Sequence, residues 1–495
     1  MYSSMMNLDL TLPDVLTPPF EQRPHLGQLG RVHFIGIAGA GMSAVARLML
    51  QAGVEVSGSD RAPGKALTEL EQLGARVWAP QDAARLAGVD TVVVSTAIQE
   101  DNPELLAARE QGLSVLHRSQ ALAAVMADSR VVAVAGTHGK TTTSSMIAFM
   151  LDALGLDPSF AVGSTISGLE TNARLGAASS QPAWFVAEAD ESDGSFVRYR
   201  PHLAVVTNVE PDHIDFYGSA QNVYEAFNRF VASMQPEGIL ITCADDPGAR
   251  ELAVQAKRAG LATITYGQSD LADVRISGTT SEGTVCSSRL DWDFSLQGQS
   301  YTGQSELVLK VPGIHNQLNA AAAFVCGLLA GFSGQQVPAA LGQFRGTDRR
   351  FSLRGDLAGI KVFDDYAHHP TEVLRALEAG RTVAAGHNLY VLFQPHLFSR
   401  TQEFAADFAR ALSQADRAYV LDIYPAREKP IAGVTSQLIS NAGFSEIHYV
   451  ESGQKAVELL AEQVKPGDVV MTVGAGNVTD FSRALVSRLA ELREG

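Results

Sequence analysis

Cysteine and positive charge are both scarce in this sequence. Its 495 residues include only three cysteines, at positions 243, 286 and 326, and these form no Cys-x-x-Cys pair. The pattern argues against a disulfide framework or a cysteine zinc site and fits a reducing compartment. Lysine and arginine number 38 against 54 acidic residues, which gives a net charge of −16. We therefore do not expect a nucleic-acid partner, because phosphate backbones need a basic footprint.

Long hydrophobic runs are also missing. The longest nearly uncharged stretch of small apolar residues, 320–332, is too short to cross about 30 Å of hydrocarbon. The first 30 residues contain four prolines and three acidic residues, with no basic start before an apolar run, so they do not resemble a secretory signal. We expect residues 1–30 to form a flexible leader. The sequence thus predicts a soluble cytoplasmic protein without a membrane partner.

Strands alternate with helices along most of the remaining chain, which indicates an α/β protein with doubly wound parallel sheets. We predict three domains: a Rossmann-like N-terminal domain at 31–128, a P-loop central ATPase domain at 129–345 and a Rossmann-like C-terminal domain at 346–495. Segment 272–309 is rich in Ser, Thr and Gly and has alternating apolar positions. This pattern predicts a small antiparallel β insertion in the central domain.

A glycine-containing loop between a predicted strand and a predicted helix is the strongest functional motif. Its backbone N–H groups can face phosphate oxygens, Lys140 can reach the β- and γ-phosphates, and the Thr141 hydroxyl can ligate magnesium. The spacing departs from Gly-x-x-x-x-Gly-Lys-Ser/Thr, because Val134 stands at the first glycine position. A chance Gly-Lys-Thr in a helix cap is the structural alternative. The predicted ATP-Mg loop contains Gly136, Thr137, His138, Gly139, Lys140, Thr141 and Thr142.

A second glycine loop follows the first predicted strand and precedes a helix predicted at 42–52. Gly39, Gly41 and Ala44 fit Gly-x-Gly-x-x-Ala, and Asp60 ends the next predicted strand. This layout seats a diphosphate on a helix N-terminus and a ribose hydroxyl on a carboxylate. The motif leaves a dinucleotide and a UDP-sugar equally open, and the glycines also fit a purely structural role in close helix–sheet packing.

Polar residues cluster after several other predicted strands, where open α/β sheets bind ligands. The acidic run 188–193 and the segment 207–213 follow two strands of the central domain, and carboxylates there can hold magnesium. A solvated acidic turn and a structural histidine are the alternatives for these segments. Residues 315–319 open a helix, where asparagine also serves as an ordinary helix-start residue. Loops 364–370, 393–401 and 474–477 of the third domain have the polar pattern of a binding cleft.

In this order, the motifs resemble those of the Mur ligases. The matching segments are GIAGAGMSA (36–44), SGSD (57–60), GTHGKTTT (136–143), EADESD (188–193), TNVEPDHID (207–215), GIHNQLNA (313–320), RRF (349–351), DDYAHHPTEV (364–373) and FQPH (393–396). The likeness covers nearly all the chain from residue 31 to residue 480. It implies a three-domain ligase that binds UDP-N-acetylmuramate in the first domain and ATP-Mg in the second. The third domain would close over both and admit L-alanine.

The resemblance also implies roles for individual residues. The UDP-sugar would contact Gly39, Ala40, Gly41, Met42, Ser59, Asp60, Ser95 and Thr96. Magnesium would be held by Thr141, Glu188 and His213, and the adenine would face His315, Asn316 and Asn319. From the third domain, Arg350 and Asp365 would reach ATP, while the alanine side would be lined by Tyr366, His368, His396 and Arg400. The implied catalytic set is Lys140, His368, Arg350, His396 and Arg400.

The reaction implied by the resemblance passes through an acyl phosphate. The lactyl carboxylate would attack the γ-phosphate, and the amine of L-alanine would then displace phosphate, in the synthesis of a peptidoglycan precursor. Two departures from the family pattern matter. Leu397 follows His396 where many members carry a basic residue. No lysine lies between Val223 and Phe230, where ligases that add later residues carry a carbamylated metal-binding lysine, and this absence favours the alanine-adding branch.

Other functions stay open on the sequence. A recycling ligase that joins a preformed tripeptide to UDP-N-acetylmuramate would share both nucleotide sites. A nicotinamide-dependent oxidoreductase would use the first glycine loop but leave the ATP loop unexplained. A non-enzymatic UDP-sugar sensor would bind its ligand without releasing phosphate. The sequence is compatible with a monomer and with a homodimer, and it does not assign the base that deprotonates the amine.

Overall fold

The computed structural model describes residues 24–177, 182–426 and 428–494. Most of the predicted leader lies outside the described residues; in its last part, a 3-10 helix spans Leu26–Gln28 and Leu29 is buried. The chain forms two compact units. The first runs to Ser277 and adds Arg289–Ser305 and Leu318–Leu341, and the second contains Gly278–Ser288, Glu306–Gln317 and the chain from Gly342 onward. The domain boundaries at 31, 129 and 346 remain predictions.

The secondary structure of the described residues alternates between strands and helices. The strands are β1 (Val32–Ile35), β2 (Val56–Ser59), β3 (Arg76–Trp78), β4 (Thr91–Val94), β5 (Ser114–His117), β6 (Arg130–Ala135), β7 (Ser159–Ile166), β8 (Thr171–Arg174), β9 (Trp184–Glu188), β10 (Leu203–Val206), β11 (Ile239–Cys243), β12 (Ala262–Gly267), β13 (Val274–Glu282), β14 (Val285–Leu296), β15 (Gln299–Leu309), β16 (Ser352–Leu357), β17 (Ile360–Asp365), β18 (Leu389–Phe393), β19 (Arg417–Val420), β20 (Ile447–Tyr449) and β21 (Val469–Val473). The helices are α1 (Ala40–Gln51), α2 (Lys65–Gln72), α3 (Pro103–Glu110), α4 (Arg118–Val125), α5 (Lys140–Ala153), α6 (Ile214–Tyr217), α7 (Ala220–Ala232), α8 (Pro247–Arg258), α9 (Ile314–Leu329), α10 (Gln336–Leu341), α11 (Pro370–Ala384), α12 (Phe398–Leu412), α13 (Gln437–Ser440), α14 (Gly453–Gln463) and α15 (Val478–Glu494). Further 3-10 helices span Ala83–Leu86 and Ser195–Tyr199.

The first sheet is parallel, with the strand order β3-β2-β1-β4-β5. All four residues of β1 are buried, as expected for a parallel strand that is covered on both faces. The strand order reverses beside β1, so its carboxyl end lies at the topological switch point where such sheets bind ligands. Helix α1 begins there at Ala40 rather than at the predicted residue 42, because the glycine loop itself contributes the first turn.

The second sheet has ten strands in the order β15-β14-β13-β12-β11-β10-β6-β9-β7-β8. Strand β6 lies between β9 and β10 and is parallel to both, which puts the ATP loop at the carboxyl edge of this sheet. Only two residues connect β13 to β14 and β14 to β15, and connections this short join antiparallel strands. The second connection has positive φ at Gln297 (49°) and Gly298 (81°), the backbone of a tight hairpin turn. The predicted antiparallel insertion is therefore confirmed.

The third sheet has the order β16-β17-β21-β18-β19-β20 and is parallel except for β16, which pairs antiparallel with β17. Buried side chains fill both of its faces: one core includes Val373, Leu377 and Phe408, and the other includes Val457 and Leu485. The predicted fold class, three α/β domains with a P-loop domain between two Rossmann-like ones, is confirmed. Among the described residues, no helix is both long and apolar enough to span a membrane.

Candidate active site

The ATP loop begins directly after β6, whose residues from Val131 to Ala135 are all buried. Gly136 has a φ of 135° and Gly139 a φ of 83°, in the left-handed region that favours glycine. A Cβ on Gly136 would overlap the Thr207 hydroxyl and lie 3.1 Å from the Asn208 backbone nitrogen. The two glycines thus permit a turn that delivers the chain into α5 at Lys140.

The segment after the neighbouring strand β10 holds this loop in place. The N–H of His138 donates to Oδ1 of Asn208 at 2.8 Å, and the Thr207 hydroxyl donates to the carbonyl of His138 at 2.5 Å. The Thr137 hydroxyl donates to the carbonyl of Glu210 at 3.0 Å. Thr207 and Asn208 were not among the predicted site residues. The sequence did contain a signal for them, because they directly follow a strand that lies next to β6 in the sheet.

Lys140 is held by three oxygen acceptors. Its Nζ donates to the carbonyls of Gly136 and Thr137, at 2.7 and 3.1 Å, and to Oε1 of Glu191 at 2.9 Å. Burial lowers the pKa of Lys140, but Glu191 and Asp190 raise it above its usual value, so the ammonium is retained. Burial raises the pKa of Glu191 to about 7 despite the neighbouring lysine. Sequence reasoning missed Glu191 because it is one of four carboxylates in the same six-residue run.

Oxygen donors suited to magnesium meet beside the ATP loop. Oγ1 of Thr141 lies 3.0 Å from Oε1 of Glu188, and Oε2 of Glu188 accepts the N–H of Gly163 at 2.6 Å. A Cβ on Gly163 would lie 2.6 Å from Glu188 Oε2 and 2.8 Å from Thr141 Oγ1, so the space beside the pair depends on a glycine. Hydroxyl and carboxylate oxygens are the hard ligands that Mg²⁺ prefers. These two predicted residues therefore fit the metal.

His213 lies at the same edge of the sheet but beside a different carboxylate. It follows β10 with a φ of 55°, and its Nε2 is 4.0 Å from Oε1 of Glu191 and 3.7 Å from Oδ2 of Asp212. The structure thus pairs Glu188 with Thr141 and places His213 next to Glu191. The predicted metal ligands follow three adjacent strands, β9, β6 and β10.

The first glycine loop lies at the N-terminus of α1, as predicted. The Asp60 carboxylate, expected to face a ribose, accepts the N–H of Ala38 within this loop at 2.9 Å and the N–H of Arg61 at 2.7 Å. Ser59 is fully buried and its hydroxyl donates to Glu104. The direct ligand contact implied for the Ser59 side chain is therefore not supported, because β2 turns that side chain inward. Ser95 and Thr96 follow β4 at the same edge of the sheet.

The predicted adenine-side residues lie in the first two turns of α9. Asn319 contacts the ATP loop, because a Cβ on Gly139 would lie 2.9 Å from Oδ1 of Asn319. In the second unit, Nδ2 of Asn316 donates to the carbonyl of Pro312 at 2.6 Å, so this amide fixes the start of the helix. Burial lowers the pKa of His315 to about 4, which keeps its imidazole neutral at pH 7.

Two arginines contact Tyr366 in the second unit. The guanidinium carbons of Arg349 and Arg350 lie 4.7 and 5.5 Å from the centroid of its ring, a distance at which cation–π attraction operates. The Asp365 carboxylate accepts the N–H groups of Phe351 and Ala367 at 2.7 and 2.8 Å. Burial raises the pKa of Asp365 to about 6. Asp365 therefore shapes the turns that position Arg350 and Tyr366, and Arg349 is a neighbour in the RRF segment to which the sequence analysis assigned no role.

The predicted alanine-side residues form a row of rings at the carboxyl edge of the third sheet. Ring centroids of Tyr366 and His368 lie 5.3 Å apart, and those of His368 and His396 lie 5.7 Å apart. Tyr424, which sequence reasoning missed, stacks on His396 at 5.9 Å. Arg400 is buried in the first turn of α12 and electrostatically close to His368. Leu397, the departure noted above, precedes α12 with a φ of 71°.

The protonation state of His368 follows from its hydrogen bonds. Its Nδ1 lies 3.0 Å from the Tyr366 carbonyl and 3.3 Å from Oε2 of Glu372. Both neighbours are acceptors, so Nδ1 carries the proton and Nε2 has the free lone pair. Burial lowers the pKa of His368 to about 4, with Arg400 and His396 acting in the same direction and Glu372 opposing them. The imidazole is therefore neutral at pH 7 with an unprotonated Nε2, and the lowered pKa makes it a weak base.

These features define the class of protein. A phosphate-binding loop with a buried lysine, oxygen donors for magnesium and a second glycine loop are the parts of a nucleotide-using α/β enzyme. Residues 31–130 match the Mur ligase family catalytic domain, residues 134–327 the Mur ligase middle domain, and residues 349–476 the glutamate ligase domain of Mur ligases. The chain belongs to the Mur ligase family and is an ATP-dependent ligase.

Individual relatives extend this result. The chain is 53% identical to the UDP-N-acetylmuramate–L-alanine ligase of Renibacterium salmoninarum, with 94% of this chain and 97% of that protein covered. It resembles the crystal structure of UDP-N-acetylmuramate–alanine ligase from Thermotoga maritima with a TM-score of 0.77 at 29% identity, covering 93% and 99% of the two chains. A murein peptide ligase from Psychrobacter arcticus matches with a TM-score of 0.67 at 25% identity, covering 93% and 98%.

Proposed function

We propose that this protein joins L-alanine to the lactyl carboxylate of UDP-N-acetylmuramate, using ATP, in the cytoplasmic synthesis of a peptidoglycan precursor. One observation carries the proposal. The same compact unit contains the Lys140 loop, the oxygen pair formed by Thr141 and Glu188, and the second glycine loop. The 53% identity to a ligase named for these substrates supports their assignment. Helix α7, which contains no lysine, is consistent with the alanine-adding branch.

The first chemical step is phosphoryl transfer. The lactyl carboxylate oxygen attacks the γ-phosphorus, the bond to the β-phosphate oxygen breaks, and ADP leaves with the bonding pair. Such transfers depend mainly on alignment and charge neutralisation, and Lys140 supplies an ammonium at the loop for this purpose. Thr141 and Glu188 would hold magnesium, which when bound shields the negative charge of the phosphates.

The second step forms the amide. The amine of L-alanine attacks the acyl carbonyl, the bond to the phosphate oxygen breaks, and inorganic phosphate leaves. The ammonium of free alanine must first lose a proton, and Nε2 of His368 is the acceptor whose geometry suits this role. Tyr366, His396 and Arg400 surround His368, and the arginine would attract the alanine carboxylate.

Phosphate release with different amines tests the proposed function. We expect release to require UDP-N-acetylmuramate and L-alanine together, with glycine and L-serine as weaker amine substrates. Faster release with a preformed tripeptide would instead identify a recycling ligase, an alternative raised by the likeness to a murein peptide ligase. Phosphate release that needs no amine, or UDP-sugar binding without any release, would contradict ligation.

The pKa of His368 gives a second test. Glu372 lies 3.3 Å from Nδ1 and raises the pKa that burial lowers to about 4. Glu372→Gln should therefore lower this pKa further, and the imidazole should remain neutral from pH 7 to pH 5 in both proteins. NMR titration of ¹⁵N-histidine-labelled protein measures the pKa of His368 in both proteins. The control is Glu378→Gln, an exposed carboxylate of the same helix that pairs with Arg375 at 2.8 Å. A wild-type pKa above 7 would mean that the imidazole is mostly protonated at pH 7, and it would remove His368 as the neutral acceptor.

A further inference from the structure

An arginine that no motif identified lies against the first glycine loop. Arg118 is the first residue of α4 and directly follows β5, so it lies at the same carboxyl edge of the first sheet as the loop after β1. A Cβ on Gly41 would overlap Nη1 of Arg118 and would lie 3.1 Å from its Cδ and 3.2 Å from its Cζ. The guanidinium therefore covers the backbone of the second residue of α1, and a larger residue at position 41 would displace it.

The guanidinium of Arg118 has one distant ion-pair partner. Its Nη2 lies 3.8 Å from Oδ2 of Asp190, which is close enough for an ion pair but too long for a hydrogen bond. Burial lowers the pKa of Arg118, but Tyr199 and Asp190 raise it, so the guanidinium stays charged. Within residues 24–177, 182–426 and 428–494, the guanidinium donates no hydrogen bond. A fork of five N–H donors is thus held at the glycine loop without an acceptor.

Asp190 is the carboxylate that pairs with Arg118. It lies two residues beyond the end of β9 in the second sheet, and its Oδ2 is the atom 3.8 Å from the guanidinium. An anion that binds Arg118 would compete with Asp190 for the guanidinium.

We propose that Arg118 binds the diphosphate of the UDP-sugar at the first glycine loop and that Asp190 competes with this ligand for the guanidinium. The inference rests on the proposed function, which supplies the ligand. A helix N-terminus and a guanidinium both favour a phosphate group, and the planar fork of arginine matches phosphate oxygens in pairs. When the diphosphate binds, the guanidinium exchanges Asp190 for phosphate oxygens.

Binding of UDP-N-acetylmuramate to four variants, measured by calorimetry on the full chain, tests the inference. Arg118→Gln should weaken binding about 10- to 100-fold, the loss typical of a charge-assisted hydrogen-bonded pair. Arg118→Lys keeps the charge but not the fork and should fall between this variant and the wild type. Asp190→Asn removes the competitor and should tighten binding about threefold. Arg109→Gln, an exposed arginine of the same domain that pairs with Glu100, should leave affinity unchanged.

The opposite directions expected for Arg118→Gln and Asp190→Asn separate ligand binding from a structural ion pair. If both variants weaken binding, or if Arg118→Gln and Arg118→Lys both bind like the wild type, the inference is wrong while the proposed function stands. A wild-type protein that does not bind UDP-N-acetylmuramate overturns the proposed function and this inference together. Thermal melting of each variant identifies any that does not fold, and Arg118→Lys then decides the outcome.

Discussion

Replacing Lys140 with alanine should lower the rate of ligation by about 1,000-fold, at the upper end of losses seen when a group that stabilises developing charge is removed. Nζ of Lys140 is the ammonium at the centre of the ATP loop, and it also ties together two of the loop's own carbonyls. The variant therefore loses both charge neutralisation and loop order. Phosphate release at saturating substrates measures the effect, and calorimetry should show unchanged binding of UDP-N-acetylmuramate.

Two further variants define what the lysine contributes. Lys140→Arg retains a positive charge, so a partial recovery of rate would assign part of the loss to charge alone. Lys257→Ala is the matched control, because this lysine of α8 is half exposed and pairs only at 3.6 Å with Asp273. An unchanged turnover in Lys140→Ala would contradict the assignment of this loop to the triphosphate.

Glu188→Gln should raise the magnesium concentration needed for half-maximal rate by about 10- to 100-fold, the range reported for lost support of a metal ligand. The substitution keeps the size of the side chain but removes the negative charge that lies 3.0 Å from the Thr141 hydroxyl. The ligation rate, measured over a magnesium titration at saturating ATP, gives the shift directly.

His213→Gln belongs in the same titration. We expect a smaller shift, because His213 lies beside Glu191 rather than beside the Thr141–Glu188 pair. Glu170→Gln controls for general charge effects, since its exposed carboxylate accepts only the N–H of Gly168 at 3.0 Å in the turn between β7 and β8. Normal magnesium saturation in both Glu188→Gln and His213→Gln would remove these residues from the metal site.

The sequence predicted the fold well where the signal is local. Strand β6, the glycine turn and helix α5 follow one another within a few residues, and the structure contains both the strand and the helix predicted on either side of the loop. The hairpin formed by β7 and β8 and the antiparallel edge strand β16 were not predicted. In β7 only the first four residues form a continuous buried run, and no residue of β16 is buried, so neither strand has the long apolar run that identifies a parallel strand.

The site was predictable at the level of segments rather than of atoms. Most of the motifs lie at or just beyond the carboxyl end of a strand, as the topology of α/β proteins requires, whereas the RRF segment precedes β16. The run 188–193, however, contains four carboxylates, and only folding shows that Glu191 is the one bonded to Lys140 and that Glu188 contacts Thr141. Arg118 escaped notice because its relation to Gly41 joins residues that are far apart in sequence.

The three oxygens that bind Lys140 have a consequence for turnover. The ammonium is satisfied by its own loop and by Glu191, so a phosphate oxygen of ATP that binds Lys140 must replace at least one of these acceptors. This exchange limits the affinity of the loop for any phosphate, because the acceptors within the protein compete with the ligand for Lys140. When phosphate and ADP dissociate, Lys140 can re-form its hydrogen bonds to the two loop carbonyls and to Glu191. The same three acceptors would therefore compete with the phosphates of ADP as well as with those of ATP.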